Sequence, residues 1–215
     1  MTKKLAVFDM DGTVLDTLAD LAGALNRSLL EYGFPEQTRD QVRLSIGGGL
    51  RRLIDLSVPG SVPPEKKESI YHSFVERYGT HFMDETKPYE GIPELLRDLK
   101  NAGMLLALVT NKDARMAEPL CGHFFPGIFD LVIGHTPGLS PKPSPDGVNS
   151  VLNALSVPAE DAVYIGDSEV DARTAENARM DSIIVSWGYR TLSELAVQDI
   201  LNTLPDPEAL LSRLL

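Results

Sequence analysis

The first legible pattern in the chain is a short apolar run, Leu5-Ala6-Val7-Phe8, that stops abruptly at Asp9 and Asp11. Consecutive apolar residues bounded by charge fit a strand covered on both faces. From Leu18 the period lengthens, and Leu18, Leu21, Ala22, Leu25 and Leu29 share one face of a helix. Thr17 and Asp20 have the spacing of a weak capping box, Asp16 is placed to cap the same helix, and Gly33 with Pro35 closes it. Further helical patterns cover residues 38–46, 50–56 and 64–83, broken at Gly47-Gly48-Gly49 and Pro59-Gly60, with no strand pattern before Lys87.

From Pro88 the texture alternates. A helix over residues 92–102 ends at Gly103, and the apolar run from Met104 to Val109 reads as a buried parallel strand closed by Thr110 and Asn111. A helix over 114–120, a strand over 130–134, a Gly/Pro-rich loop over 135–145 holding Lys142, and a helix over 146–155 follow. Then come a strand over 162–166 ending at Asp167, a helix over 169–179, a strand over 182–185 and a terminal helix over 206–215. The alternation predicts an α/β protein. Residues 1–15 and 88–215 would form a Rossmann-like, doubly wound, mostly parallel sheet, and residues 16–87 a small all-α helical domain inserted after the first strand.

Charge and cysteine usage narrow the partners. A net charge of −11 without any basic tract argues against a general nucleic-acid or anionic-membrane binder. A single cysteine, Cys121, excludes an intramolecular disulfide, suits a reducing compartment and reads as a small buried hydrophobe. The apolar segment before Asp9 is too short for a secretory leader, and no run reaches membrane-spanning length. The expectation is a soluble cytoplasmic protein, monomer or homodimer, acting on a small molecule.

The chemistry lies where apolar strands stop. Asp9 and Asp11 project to the same side of an extended chain while Met10 points away, and Gly12 lets the backbone turn. Two like charges in so small a space require a proton or a cation, and a hard metal ion suits them. Thr110 with Asn111, and Asp167, also follow directly on strands, and Lys142 lies in the loop after another. In a parallel sheet these ends share one edge, so acids, a hydroxyl, an amide and a cation converge on one cleft. That set suits a phosphoryl group. Taken singly, Asp167 and Ser168 could only cap a helix, Lys142 could be a solvated loop lysine, and Thr110 with Asn111 a turn. His72, His81, His123 and His135 show no ligand spacing, and Trp187 reads as core.

DMDGTVLD over residues 9–16, the Thr110-Asn111 strand end, Lys142 in KPSPD and GDSEVD over 166–171 resemble the four ordered motifs of the haloacid dehalogenase superfamily, most of all its phosphoglycolate phosphatase-like hydrolases. The resemblance covers nearly the whole chain, and the helical insertion stands where the family's cap would be. It implies Asp9 as nucleophile forming an aspartyl-phosphate, and Mg2+ held by the Asp9 carboxylate, the Asp11 backbone carbonyl and Asp167. It implies Asp11 as proton donor to the leaving alkoxide and acceptor from water, with Thr110, Asn111 and Lys142 on the phosphoryl oxygens. Asp171, one helical turn after Asp167, would act through a ligand water or through Lys142.

Substrate choice would fall to the insertion, where Gly47-Gly48-Gly49 precedes Arg51 and Arg52. Gly49 and Arg51 are candidates for contacting a carboxylate or second phosphate, with Arg115 a weaker one. The favoured activity is Mg2+-dependent hydrolysis of a small phosphomonoester, phosphoglycolate foremost. A sugar phosphomutase, a pyrophosphatase or nucleotidase, and a non-catalytic scaffold are the alternatives. The filled chemical positions argue against the scaffold, and Asp11 argues against a metal-free dehalogenase.

Overall fold

The computed structural model describes residues 3–215, in two compact units: the described residues up to Leu15 together with Pro88–Leu215, and Asp16–Lys87. The strands in chain order are β1 (Leu5–Phe8), β2 (Leu15–Asp16), β3 (Lys87–Pro88), β4 (Leu105–Asp113), β5 (Leu131–His135), β6 (Ala162–Gly166), β7 (Asp181–Val185) and β8 (Thr203–Leu204). The helices are α1 (Leu18–Glu31), α2 (Arg39–Ser45), α3 (Leu50–Ser57), α4 (Pro64–His81), α5 (Ile92–Asn101), α6 (Ala114–Phe124), α7 (Asp146–Leu155), α8 (Glu169–Asn177), α9 (Leu192–Val197) and α10 (Pro207–Leu214).

Six strands of the first unit form one parallel sheet in the order β5-β4-β1-β6-β7-β8. The chain leaves β1 on one side through β4 and β5, then returns to β1's other side with β6. This reversal opens a crevice at the carboxyl ends of the central strands. All four residues of β1 are fully buried, as a strand covered on both faces requires. Leu5, Val7, Ala107, Val109 and Tyr164 pack with Val148 and Val151 of α7 and Ala175 of α8 in one cluster.

Three departures from the sequence pattern matter. β4 does not stop at Val109; it continues through Thr110, Asn111 and Lys112 to Asp113, with a register shift against β5 between Val109 and Asp113. Pairing with a neighbouring strand outweighs the polar composition of this extension. The short elements α9 and β8 lacked a legible period, and α6 runs past Pro119 to Phe124.

In the second unit, α1 and α4 contribute the buried residues Leu21, Leu25, Leu29, Ile70, Phe74 and Tyr78, and the rings of Phe74 and Tyr78 stack at 5.6 Å. The capping box expected of Thr17 and Asp20 is not formed. Thr17 makes no side-chain cap, Asp16 Oδ1 accepts the Leu18 N–H at 3.2 Å, and the buried Asp20 turns to the Glu85 and Thr86 backbone instead.

Candidate active site

Asp9 follows β1 directly, and its Oδ1 stands 2.8 Å from Lys142 Nζ. The turn beyond it is tight: the Met10 carbonyl accepts the N–H groups of Thr13, Val14 and Leu15. Gly12 closes the turn at φ +86°, and a β-carbon there would stand 2.5 Å from Asp167 Oδ2, so glycine is demanded twice over. Trp187 Nε1 ties the same turn by donating to the Thr13 carbonyl at 3.0 Å. Half-buried, it braces the loop rather than filling the core.

Lys142 lies in the loop after β5 and is buried. Both polar ends of the Asn111 side chain fix it: Oδ1 accepts the Lys142 N–H at 2.7 Å and Nδ2 donates to the Lys142 carbonyl at 3.1 Å. Its ammonium donates to Asp171 Oδ1 at 2.7 Å and to Tyr164 Oη at 3.1 Å, and Tyr164 in turn donates to the Val109 carbonyl. Burial opposes the Lys142 charge, but Asp171 and Asp9 more than offset it, so its pKa stands well above the ordinary lysine value.

Asp167 directly follows β6 and does not cap α8; its Oδ2 accepts the Tyr189 N–H at 2.6 Å. Ser168 takes the cap position, and Asp171 Oδ2 accepts both its N–H and its hydroxyl, at 3.1 and 2.6 Å. Asp171 is wholly buried with both oxygens engaged. Gly166 makes room for it, since a β-carbon there would meet Asp171 Cβ and Cγ at 2.3 Å.

Asp9, Asp167 and Asp171 can each present an oxygen within 4.8 Å of the others. Burial pushes Asp9 up to about 7, with Lys142 pulling against it, and pushes Asp167 up to about 8, with Asp171 and Asp9 adding to the rise. Three carboxylates share the one Lys142 ammonium, which leaves negative charge in the cluster uncompensated. An all-oxygen donor set of this charge fits a hard divalent cation. Because both Asp171 oxygens are already held, Asp9 and Asp167 are the better placed ligands.

Asp11 points elsewhere. Its two carboxylate oxygens lie 3.1 and 3.4 Å from Lys112 Nζ, a lysine whose side chain is 1% exposed. Thr110, on the same face of β4 as Lys112 by the two-residue period, is buried, and its Oγ1 accepts the Lys112 N–H at 3.3 Å. Sequence reasoning missed Lys112, Tyr164, Tyr189 and Gly188. The available signals were a lysine two residues after Thr110 on a strand, and a tyrosine inside the apolar run of β6.

The remaining candidates lie on other elements. Arg115 is engaged with Asp113 at the start of α6. Within the second unit, Gly49 stands at the N-terminus of α3 with φ +84°, and Arg51 forms an ion pair with Glu68 and lies 4.1 Å over the Tyr71 ring. Asp16 faces Arg39 at 3.4 Å. Among the described residues, no helix is long and apolar enough to cross a membrane.

The sequence model of the family described as haloacid dehalogenase-like hydrolase matches residues 6–185. A phosphoglycolate phosphatase of Caulobacter vibrioides is 37% identical over 188 residues, 85% of this chain and 78% of the relative. A phosphoglycolate phosphatase of Psychrobacter arcticus is 33% identical over 223 residues, 100% of this chain and 97% of the relative. A solved structure from Lactobacillus delbrueckii subsp. bulgaricus, described as a candidate phosphoglycolate phosphatase, superposes with a TM-score of 0.95 at 32% identity, covering 100% of this chain and 99% of that one. With its acids and lysines at the carboxyl edge of a parallel sheet, the chain belongs to the haloacid dehalogenase-like hydrolases, among the phosphatases that resemble phosphoglycolate phosphatase.

Proposed function

We propose that the chain hydrolyses a small organic phosphomonoester, phosphoglycolate foremost, through an aspartyl-phosphate on Asp9. The observation that carries this reading is the unequal treatment of the two acids that follow β1. Asp9 faces Lys142 inside a cluster of buried carboxylates, whereas Asp11 is held apart against Lys112.

In this reading an Asp9 carboxylate oxygen attacks phosphorus as the ester oxygen departs in line. Asp11 gives a proton to the departing oxygen, then takes one from the water that cleaves the acyl phosphate. Lys142 and the Thr110 hydroxyl hold phosphoryl oxygens. Asn111 serves by pinning the Lys142 backbone, and Asp171 by aiming the Lys142 ammonium. Asp9, Asp167 and the Asp11 carbonyl would hold Mg2+, which when bound screens the repulsion between carboxylate and phosphate. Residues 16–87 act as the specificity cap of this reading, with Gly49 and Arg51 as its contribution to substrate choice and Asp16 at its first helix.

The test is Mg2+-dependent hydrolysis of an aryl phosphate and of phosphoglycolate, with Asp9→Asn as control. Turnover by the wild type and none by the variant, which keeps the shape of the side chain, is expected. Equal rates would overturn the assignment of Asp9, and no turnover at any Mg2+ concentration would overturn the reaction itself.

A further inference from the structure

Lys112 is a buried cation for which the mechanism above has no use. It reaches the site from the extension of β4 on the same face as Thr110, and its ammonium faces both oxygens of Asp11, at 3.1 and 3.4 Å. Burying a lysine is costly, and a neutral side chain could fill the same space. The Asp11 carboxylate offsets part of that cost. The position of the charge relative to the reacting oxygen offers a reason for it.

We infer that Lys112 is a specificity-determining residue that binds a carboxylate on the leaving group, one carbon away from the ester oxygen. The inference rests on the reading above, in which Asp11 donates a proton to that oxygen. The leaving oxygen must then come within about 3 Å of the Asp11 carboxyl. Lys112 Nζ lies 3.1 Å from the same carboxyl, so the ammonium and the leaving oxygen share a neighbour. In a 2-phospho carboxylic acid the carboxylate oxygens lie about 3 Å from the ester oxygen by ordinary bond lengths. A leaving oxygen that meets Asp11 on the side facing Lys112 brings this anion within reach of the ammonium without any stretch of the substrate. In a sugar phosphate or a simple alkyl phosphate the same space would hold a hydroxyl or a methyl group, and the buried charge would gain no partner from the substrate. The substrate class so defined is short 2-phospho acids, with or without a further substituent on the ester carbon. Phosphates placed farther from the carboxylate fall outside it.

Phosphoglycolate and ethyl phosphate have similarly sized leaving groups and differ mainly in the carboxylate, so their ratio of kcat/KM reads Lys112 directly. The wild type should favour phosphoglycolate by roughly a hundredfold or more, the scale expected for a desolvated charge pair. Lys112→Met should collapse that ratio by roughly a hundredfold, largely through KM, whatever common loss both substrates suffer through Asp11. Lys112→Arg should restore part of it, since the charge is kept. A ratio within about threefold of the wild type in Lys112→Met would show that Lys112 acts only on Asp11 and would overturn the inference. Should that variant fail to fold, the wild-type comparison decides alone, and parity between the two substrates overturns the inference. Failure of the underlying reaction reading looks different: Asp9→Asn would then still turn over both substrates.

Discussion

Replacing Gly188 by alanine would test whether the loop after β7 sets the position of Asp167. A β-carbon at this position would stand 2.3 Å from Asp167 Cβ, 2.3 Å from the Gly12 carbonyl oxygen and 2.5 Å from Asp167 Oδ2. The first two atoms are backbone or next to it and cannot swing aside as a flexible side-chain tip would. Each separation must grow by roughly 1 Å to reach ordinary contact. Overpacking of this kind costs about 1–3 kcal/mol, read as a fall of roughly 2–12 °C in Tm. The functional effect should be larger, because a misplacement of about 1 Å in an active site costs on the order of a hundredfold in rate. Asp167 is also held by the Tyr189 N–H at 2.6 Å, one residue beyond the substitution, so acid and loop shift together. The assay is aryl phosphate hydrolysis across a Mg2+ titration, alongside thermal melts. Half-maximal activity should require roughly tenfold more Mg2+ or greater, with kcat/KM down about a hundredfold. Gly23→Ala is the control: Gly23 is exposed within α1 with nothing inside 4 Å, and alanine there should stabilise the helix by about 0.4–1 kcal/mol. A Gly188→Ala protein with the wild-type Mg2+ curve and rate would refute the coupling of this loop to Asp167.

Asp20→Ala should destabilise the protein by about 2–4 kcal/mol, measured as a lowered midpoint of urea unfolding. The carboxylate accepts the Glu85 N–H, the Thr86 N–H and the Thr86 hydroxyl, the last at 2.8 Å, and its loss strands these donors; an unchanged midpoint would show that water replaces it freely. Cys121 should resist thiol reagents in the native state, because burial pushes its thiol up to about 12 and almost no thiolate exists at pH 8. Native labelling slower than labelling in denaturant by roughly a hundredfold or more is expected, and comparable rates would contradict the burial.

The elements that position the site were legible because each contrasts sharply with its flanks. β1 is four apolar residues running straight into an acid, and β6 is five buried residues between Asp161 and Asp167. Periodicity also found α1, α4, α5, α7 and α8 to within a few residues. It failed at β4, whose last residues carry polar side chains yet stay extended and rejoin β5 at Asp113 after a register shift, so the strand reads as ended three residues before Lys112. A turn at Thr110-Asn111 would have sent Lys112 into solvent; an extended strand puts it beside Thr110. Tyr164 was hidden for the opposite reason: its ring satisfies the apolar pattern of β6, and only the fold shows its hydroxyl between Lys142 and the Val109 carbonyl. Asp20 fitted a local capping pattern, but a contact with residues 85 and 86 outcompeted the local one, and no local rule registers such a partner.

The two lysines give acids two residues apart different surroundings, as the different parts proposed for them require. Lys142 divides its charge between Asp9 and Asp171, at 2.8 and 2.7 Å, and is anchored through Asn111 and Tyr164 from two further strands. Asp9 is therefore only partly compensated, burial raises it to about 7, and Asp167 beside it rises to about 8, which leaves the cluster short of positive charge. Lys112 faces both oxygens of Asp11, on an element separate from the loop that carries Lys142. In the proposed reading a cation added to the site would fall to the Asp9 side, and a substrate anion would exchange with Asp11 for Lys112. Removing either lysine alone should separate the two: loss of Lys142 disturbs the acids that gather positive charge, and loss of Lys112 disturbs discrimination among leaving groups. A net-acidic chain that must attract phosphate gains from this arrangement, because two of its cations, Lys112 and Lys142, are buried beside these acids.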